Sequence, residues 1–285
     1  MFYMKQKKWF FISVFLLLWC FSKLSAQYEF IYGQGGRGIW AHQAYFPRFE
    51  FHFPNRVEFH ERLEATRTGT YSIDHEYGIP FINFYWDDGT SERYLMLSNE
   101  YFILLYNDNT EPVFFLHYVP INRMMPFQSS GLMVNVTASS SLVHGGIHFA
   151  ATRDRLGTHI NRVWAVEGGI GERLYVRIST LGFPIFISIG YVHHTRPYLF
   201  KANSRPKRIR ILNANDETRF YELELVDTPN FQRISFNFSD LLFEGYDDRG
   251  WETHSWDIII EILEVHPGFR YNHMCINSII SLGHR

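Results

Sequence analysis

Cysteine is nearly absent from this chain: among 285 residues there are two, Cys20 and Cys275. Cys20 lies in a segment expected to be removed, so no internal disulfide is expected even in an oxidising compartment, and packing must hold the fold. A paired-cysteine zinc site is excluded on the same count. A surplus of positive charge is also lacking, with 27 Lys and Arg against 29 Asp and Glu. After the first 21 residues, no run is long and apolar enough to cross a bilayer as a helix, which takes about 20 residues. There is no His-Glu-x-x-His, no Gly-x-Ser-x-Gly elbow, no internal repeat and no low-complexity segment. Aromatic residues are abundant, at 18% of the chain, and can fill one large or two ordinary cores.

The first residues address the protein. Lys5, Lys7 and Lys8 precede an apolar run over residues 10–21, and Ser22-Lys23-Leu24-Ser25-Ala26 then offers small residues to a peptidase. Residues 1–26 therefore read as a secretory signal peptide, and a mature chain from Gln27 is expected to be soluble and exported: periplasmic, on the outer surface, or secreted. Trp19, bulky and directly before Cys20, argues against lipidation there. Removing the segment takes four lysines and no acids, leaving 23 basic against 29 acidic residues and a charge of −6. A nucleic-acid partner is not expected of such a chain, and the mature protein should carry no transmembrane span.

The remainder predicts an all-β protein. Phe49-Glu50-Phe51-His52-Phe53 alternates with period two, as does Tyr71-Ser72-Ile73-Asp74 after the turn-prone Thr68-Gly69. The run 80–86 meets Asp87-Asp88-Gly89-Thr90, a hairpin signal, and the runs 92–97, 101–106 and 113–116 continue an antiparallel meander. Closure into a small barrel or curled sheet would remove exposed edges. Two prolines, two serines and a glycine interrupt the pattern between 120 and 131. The expected organisation is an N-terminal β domain over 27–127, a linker over 128–133 and a second β domain over 134–285. Runs at 174–178, 185–189, 208–212, 220–225, 233–236 and 256–265 suggest that the second domain is a sandwich.

Four segments of the second domain carry a resemblance. They are Val136-Thr137-Ala138-Ser139-Ser140-Ser141-Leu142; residues 164–172, which begin Trp164-Ala165-Val166-Glu167; residues 202–211, which begin Ala202-Asn203-Ser204-Arg205-Pro206; and Ile262-Leu263-Glu264-Val265-His266-Pro267-Gly268, followed by Arg270-Tyr271-Asn272 and Cys275-Ile276. In this order and spacing the stretch 134–283 resembles the NADase-type glycan-binding domain, a discoidin-like relative of the galactose-binding jelly rolls. The resemblance implies a jelly-roll β-sandwich and a glycan or glycoconjugate as partner. Arg153-Asp154-Arg155-Leu156-Gly157 departs from the Asp-Gly pair usual in the family. Asn272 and His273 replace the usual carboxylates, and the loop at Glu167 is short. Calcium needs several hard oxygen ligands, so these departures weaken any inherited calcium site, and no cofactor or metal is expected. The N-terminal half has no comparable resemblance.

Sugar binding needs a flat ring to stack on a pyranose and planar amides or guanidinium groups to share hydrogen bonds with its hydroxyls. Trp164, Glu167, Tyr191, Tyr198, Asn203, Arg205 and Tyr271 supply those types, mostly in loops that a jelly roll would gather at one end. The bland alternative places Trp164 and Tyr271 in the core and has Glu167 pair with Arg205. His193-His194 suggests metal, but neighbours on a strand face opposite ways, and solvated loop histidines are the expectation. The segment 33–38 lacks the strand, helix and Lys-Ser/Thr of a phosphate loop. Asp87-Asp88 reads as turn chemistry, and Cys275 as a buried inert thiol. The basic run 205–210 suggests a local anion or sialic-acid contact. The expected function is an exported, non-catalytic carbohydrate-binding protein; the alternative is an interaction module between envelope proteins on the same fold.

Overall fold

The computed structural model describes residues 37–42, 48–60, 67–99, 101–107, 114–119, 134–179, 184–236, 241 and 255–281. The expected signal peptide 1–26, the expected linker 128–133 and residues 33–36 of the Gly-rich stretch lie outside them.

The first eight strands are β1 (Arg37–His42), β2 (Arg48–His52), β3 (Arg56–His60), β4 (Arg67–Glu76), β5 (Ile79–Trp86), β6 (Ser91–Ser98), β7 (Phe102–Tyr106) and β8 (Phe114–Val119). Each pairs antiparallel with the next, and β1 also pairs with β8, so the expected meander closes into a barrel and leaves no free edge. Alternation then sends one set of side chains inward. Phe49, Phe51, Tyr71, Phe84 and Trp86 pack together there, with Phe84 stacked on Trp86 at 5.3 Å and on Phe49 at 5.3 Å. Thr68-Gly69 is not a turn but part of β4. A Cβ on Gly69 would overlap the backbone of Tyr85 on the paired strand, so glycine is needed for close approach rather than for reversal. Asp87-Asp88-Gly89 is the expected turn, with Gly89 at φ +85° and Asp88 accepting from the Thr90 amide.

The second half contains β9 (Val134–Ala138), β10 (Val143–His144), β11 (Ile147–His148), β12 (Trp164–Glu167), β13 (Arg173–Ser179) and β14 (Ile185–Ile189). A one-turn helix α1 (Leu199–Ala202) follows, then β15 (Arg205–Asn213), β16 (Asp216–Glu224), β17 (Gln232–Ile234), β18 (Ser255–His266) and β19 (His273–Ser281). Five strands in the order β16-β15-β18-β13-β9 face four in the order β12-β19-β14-β17. Trp164, Leu174, Val176, Ile187, Ile211, Ile260 and Ile276 lie in the core that the two sheets share. This is the expected β-sandwich. On the outer face of the larger sheet, Arg177–Asp257, Arg173–Glu261–Arg210–Glu222 and Arg208–Glu264 pair across strands, so most of the basic run 205–210 is neutralised there.

Barrel and sandwich share a second core. The outward residues of β5, β6 and β7, among them Phe81, Leu95, Leu97, Phe102 and Leu104, meet Phe186, Val192, Phe200, Phe231 and Ile280. Phe102 stands edge-on to Phe186 at 5.4 Å, and the Tyr106 hydroxyl donates to the Thr158 carbonyl at 2.5 Å. The double burial explains why β7 reads Phe-Ile-Leu-Leu-Tyr with no polar alternation: one face fills the barrel and the other fills this seam. The seam covers only part of the outer face of the four-stranded sheet. Beyond it, Ala165 and Cys275 of that face, with Val163, form a small buried group against Leu142, Phe149 and Tyr191.

Candidate functional site

That uncovered part of the sheet is the floor of a cleft of about 270 Å³. Its walls come from three places. The first is the β10–β11 hairpin, whose two-residue turn Gly145-Gly146 has φ +56° and +76°, the conformation a tight hairpin demands. Backbone bonds from Leu142 to Ala165 and from Ala165 to Phe149 tie its base to β12, and the hairpin with the residue after it presents His144, Ile147 and Phe149 to the cleft.

The second wall follows β14. Gly190, at φ +85°, turns the chain out of the strand, and a Cβ there would lie 2.5 Å from the Phe200 ring. Tyr191 is thereby set in the wall, edge-on to Phe149 at 6.5 Å, and burial raises its phenol pKa. Two residues on, His193 is 8% exposed, with Thr195 Oγ1 3.4 Å from its Nδ1. Arg196 Nε and Nη2 lie 3.2 and 2.9 Å from His193 Nε2. Burial first, then the charge of Arg196 and the electrostatic effect of neighbouring His194, push the imidazole pKa down to about 4, so it is neutral near pH 7 and accepts from the arginine. His193 is therefore not the solvated loop histidine the sequence suggests. Nor is His194, which is half-buried against the Phe81 ring at the barrel seam.

The third wall is the loop from β18 to β19. The amides of Phe269, Arg270 and Tyr271 donate to the Lys201 and Ala202 carbonyls, completing the open end of α1. Gly268 permits this docking, because a Cβ would overlap the Ala202 and Asn203 backbone. Tyr271 stacks on His273 at 5.8 Å with an interplanar angle of 2°, and both line the cleft with Asn203. Under this loop Arg205 is only 3% exposed. It donates to Asp227 through Nε at 2.6 Å and Nη2 at 3.1 Å, and to the Phe200 and Asn203 carbonyls.

The seven residues expected to share a surface are thus divided. Tyr191, Asn203 and Tyr271 line the cleft. Trp164 is fully buried between the sheets with its indole N–H on the Ser140 carbonyl. Arg205 has its donors spent inside the protein, and its carboxylate partner is Asp227, not Glu167. Glu167 is exposed at the end of β12 opposite His273, outside the cleft lining. Tyr198 sits beside Tyr77 of the barrel at 6.3 Å and is not part of the lining. Sequence reasoning missed Arg196, His144, Ile147, Phe149 and His273. The Gly145-Gly146 pair is a signal that could have found the hairpin; nothing in the sequence signalled which sheet face would stay open. Cys275, on the floor, is 1% exposed, and burial pushes its thiol up to about 12, as an inert buried cysteine requires.

Residues 127–281, more than half of the chain, match the family model described as NAD glycohydrolase translocation F5/8 type C domain, a discoidin-like fold. No curated protein matches the chain.

Proposed function

The chain belongs to the NAD glycohydrolase translocation F5/8 type C domain family, and from that premise we propose an exported, non-catalytic carbohydrate-binding protein whose ligand occupies the cleft beside the barrel. The carrying observation is the lining itself: Tyr191, Tyr271 and Phe149 offer ring surfaces, Arg196 offers a planar polar group, Asn203 backs the wall with its Nδ2 donating to the Leu199 carbonyl, and a buried sheet closes the floor. Aromatic walls with a few polar groups suit a sugar, which has an apolar face and a rim of hydroxyls. A volume of about 270 Å³ fits one sugar unit better than a long chain. The non-catalytic reading is supported by the family's description as a translocation domain and by a cleft thiol held protonated. Among the described residues no carboxylate lines the cleft, so they supply no acid and base pair of a glycosidase there. Among the described residues no helix is long and apolar enough to cross a membrane.

A protein-interaction role on the same fold is favoured by one observation: Val143 and Ile147 at the cleft rim are 65% and 54% exposed. A glycan array probed with the full chain, with calcium and with chelator, separates the two. Sugar binding that Tyr191→Ala abolishes, at unchanged melting temperature, supports the carbohydrate reading. No binding by folded wild-type protein overturns it.

A further inference from the structure

Arg196 is held but not neutralised. Arginines on the outer face of the larger sheet, such as Arg173, Arg177, Arg208 and Arg210, each meet a carboxylate. Among the described residues, Arg196 hydrogen-bonds to the His193 ring, through one edge of its guanidinium. A neutral acceptor fixes the direction of the fork and leaves its full charge in place. The other N–H groups of the fork remain for a ligand. Two further guanidinium groups stand behind the aromatic walls, Arg155 over Phe149 at 6.0 Å and Arg270 over Tyr271 at 5.1 Å. None of the three is ion-paired with a carboxylate among the described residues. The charges on Arg155 and Arg196 reach the Tyr191 hydroxyl, where both favour the anionic form. This concentration of positive charge sits on a chain whose formal net charge is −2.

We propose that the cleft selects saccharides bearing an anionic group, a carboxylate or a sulfate, and that Arg196, aimed by His193, is the residue that selects them. The inference rests on the carbohydrate reading above. A planar fork with adjacent N–H groups matches two oxygens of one carboxylate or sulfate, and hydrogen bonds to a charged partner are the stronger kind. Tyr191 and Tyr271 would hold the ring while Arg196 takes the charge. The basic run 205–210, where the sequence suggested an anion contact, has its arginines tied to Asp227, Glu222, Glu261 and Glu264, which is why the contact moves to Arg196.

The test is titration calorimetry on the full chain with three probes: lactose, sialyllactose, and lactose sulfated on galactose. Wild type should bind at least one charged probe about 10- to 100-fold more tightly than lactose, the range of one charged hydrogen bond. Which charged probe wins identifies the anion. Arg196→Gln should remove that advantage, bringing the charged probes within about twofold of the variant's own lactose affinity, whatever that affinity becomes, with the melting temperature unchanged because the residue is exposed. His193→Gln, which keeps an acceptor, should retain part of the advantage that His193→Leu loses. Equal affinity for all three probes, or an advantage that survives Arg196→Gln, overturns the selectivity and leaves the carbohydrate reading standing. Failure of folded wild type to bind any probe overturns both.

Discussion

The guanidinium of Arg205 and the carboxylate of Asp227 meet edge to edge, Nε to Oδ1 at 2.6 Å and Nη2 to Oδ2 at 3.1 Å, beneath the loop that carries Tyr271. Burial opposes ionisation of Asp227, but hydrogen bonds from Arg205 and Lys201 outweigh it and hold the carboxyl below its usual range. Lysine at position 205 would keep the charge and lose the fork. Arg205→Lys should therefore lower stability by about 2–3 kcal/mol in urea denaturation, short of the ~3–5 kcal/mol for losing one partner of a buried pair. Sugar affinity should fall only as far as the loop loosens, so binding by the folded fraction should exceed that of Tyr271→Ala.

Gly190 supplies a second prediction. Alanine there would have to hold φ near +85° with its Cβ 2.5 Å from the Phe200 ring. Strain and overlap together should cost about 2–4 kcal/mol. Because the same turn sets Tyr191, Gly190→Ala should lose affinity as well as melting temperature. Unchanged affinity would separate Tyr191 from the ligand.

His193 predicts a pH dependence with a defined sign. Its pKa is about 4 in the folded chain, against about 6.5 when unfolded. Between these values the unfolded chain binds a proton that the folded chain refuses. The contribution is therefore fully present above about pH 6.5 and is lost as pH falls toward 4. The groups around the ring are Arg196, His194, the Thr195 hydroxyl and the Tyr191 ring at 6.0 Å. Stability of wild type minus that of His193→Gln, followed by chemical denaturation, should decline across this window. Asp227 loses its contribution only at lower pH, because its folded pKa lies below the carboxylate range. A flat difference would show that His193 is not buried as described.

The seam between barrel and sandwich predicts mutual dependence. Phe186 is fully buried there between Tyr101 and Phe102. Phe186→Ala should cost about 3–5 kcal/mol. A fragment of residues 134–285 would expose Phe186, Val192, Phe200, Phe231 and Ile280 together, so it should self-associate in analytical ultracentrifugation while the full chain does not. A monomeric fragment with the full chain's melting temperature would show the seam to be dispensable.

Much of the fold was legible because period-two alternation and turn residues are local: Phe49-Glu50-Phe51 announces a strand, and Asp87-Asp88-Gly89 announces its turn. β7 was legible as a strand, but its lack of alternation became intelligible only once both its faces were seen to be covered. Of the candidate site, Tyr191, Asn203 and Tyr271 could be named from their segments. Trp164 and Arg205 lie in those same segments yet face inward, and no local signal separates a residue that shapes a loop from one that lines a cleft.

Composition and local pattern thus determined an all-β protein without disulfides, and its order of motifs determined the discoidin-like second domain. Closure of the barrel required β1 to meet β8, a contact between residues about 75 positions apart that loop entropy hides from any window of sequence. The cleft was decided at a still higher level. The barrel covers Phe186 and Ile280 on the outer face of one sheet and leaves Ala165 and Cys275 uncovered, so the open floor is a property of how two domains pack and belongs to neither sequence alone.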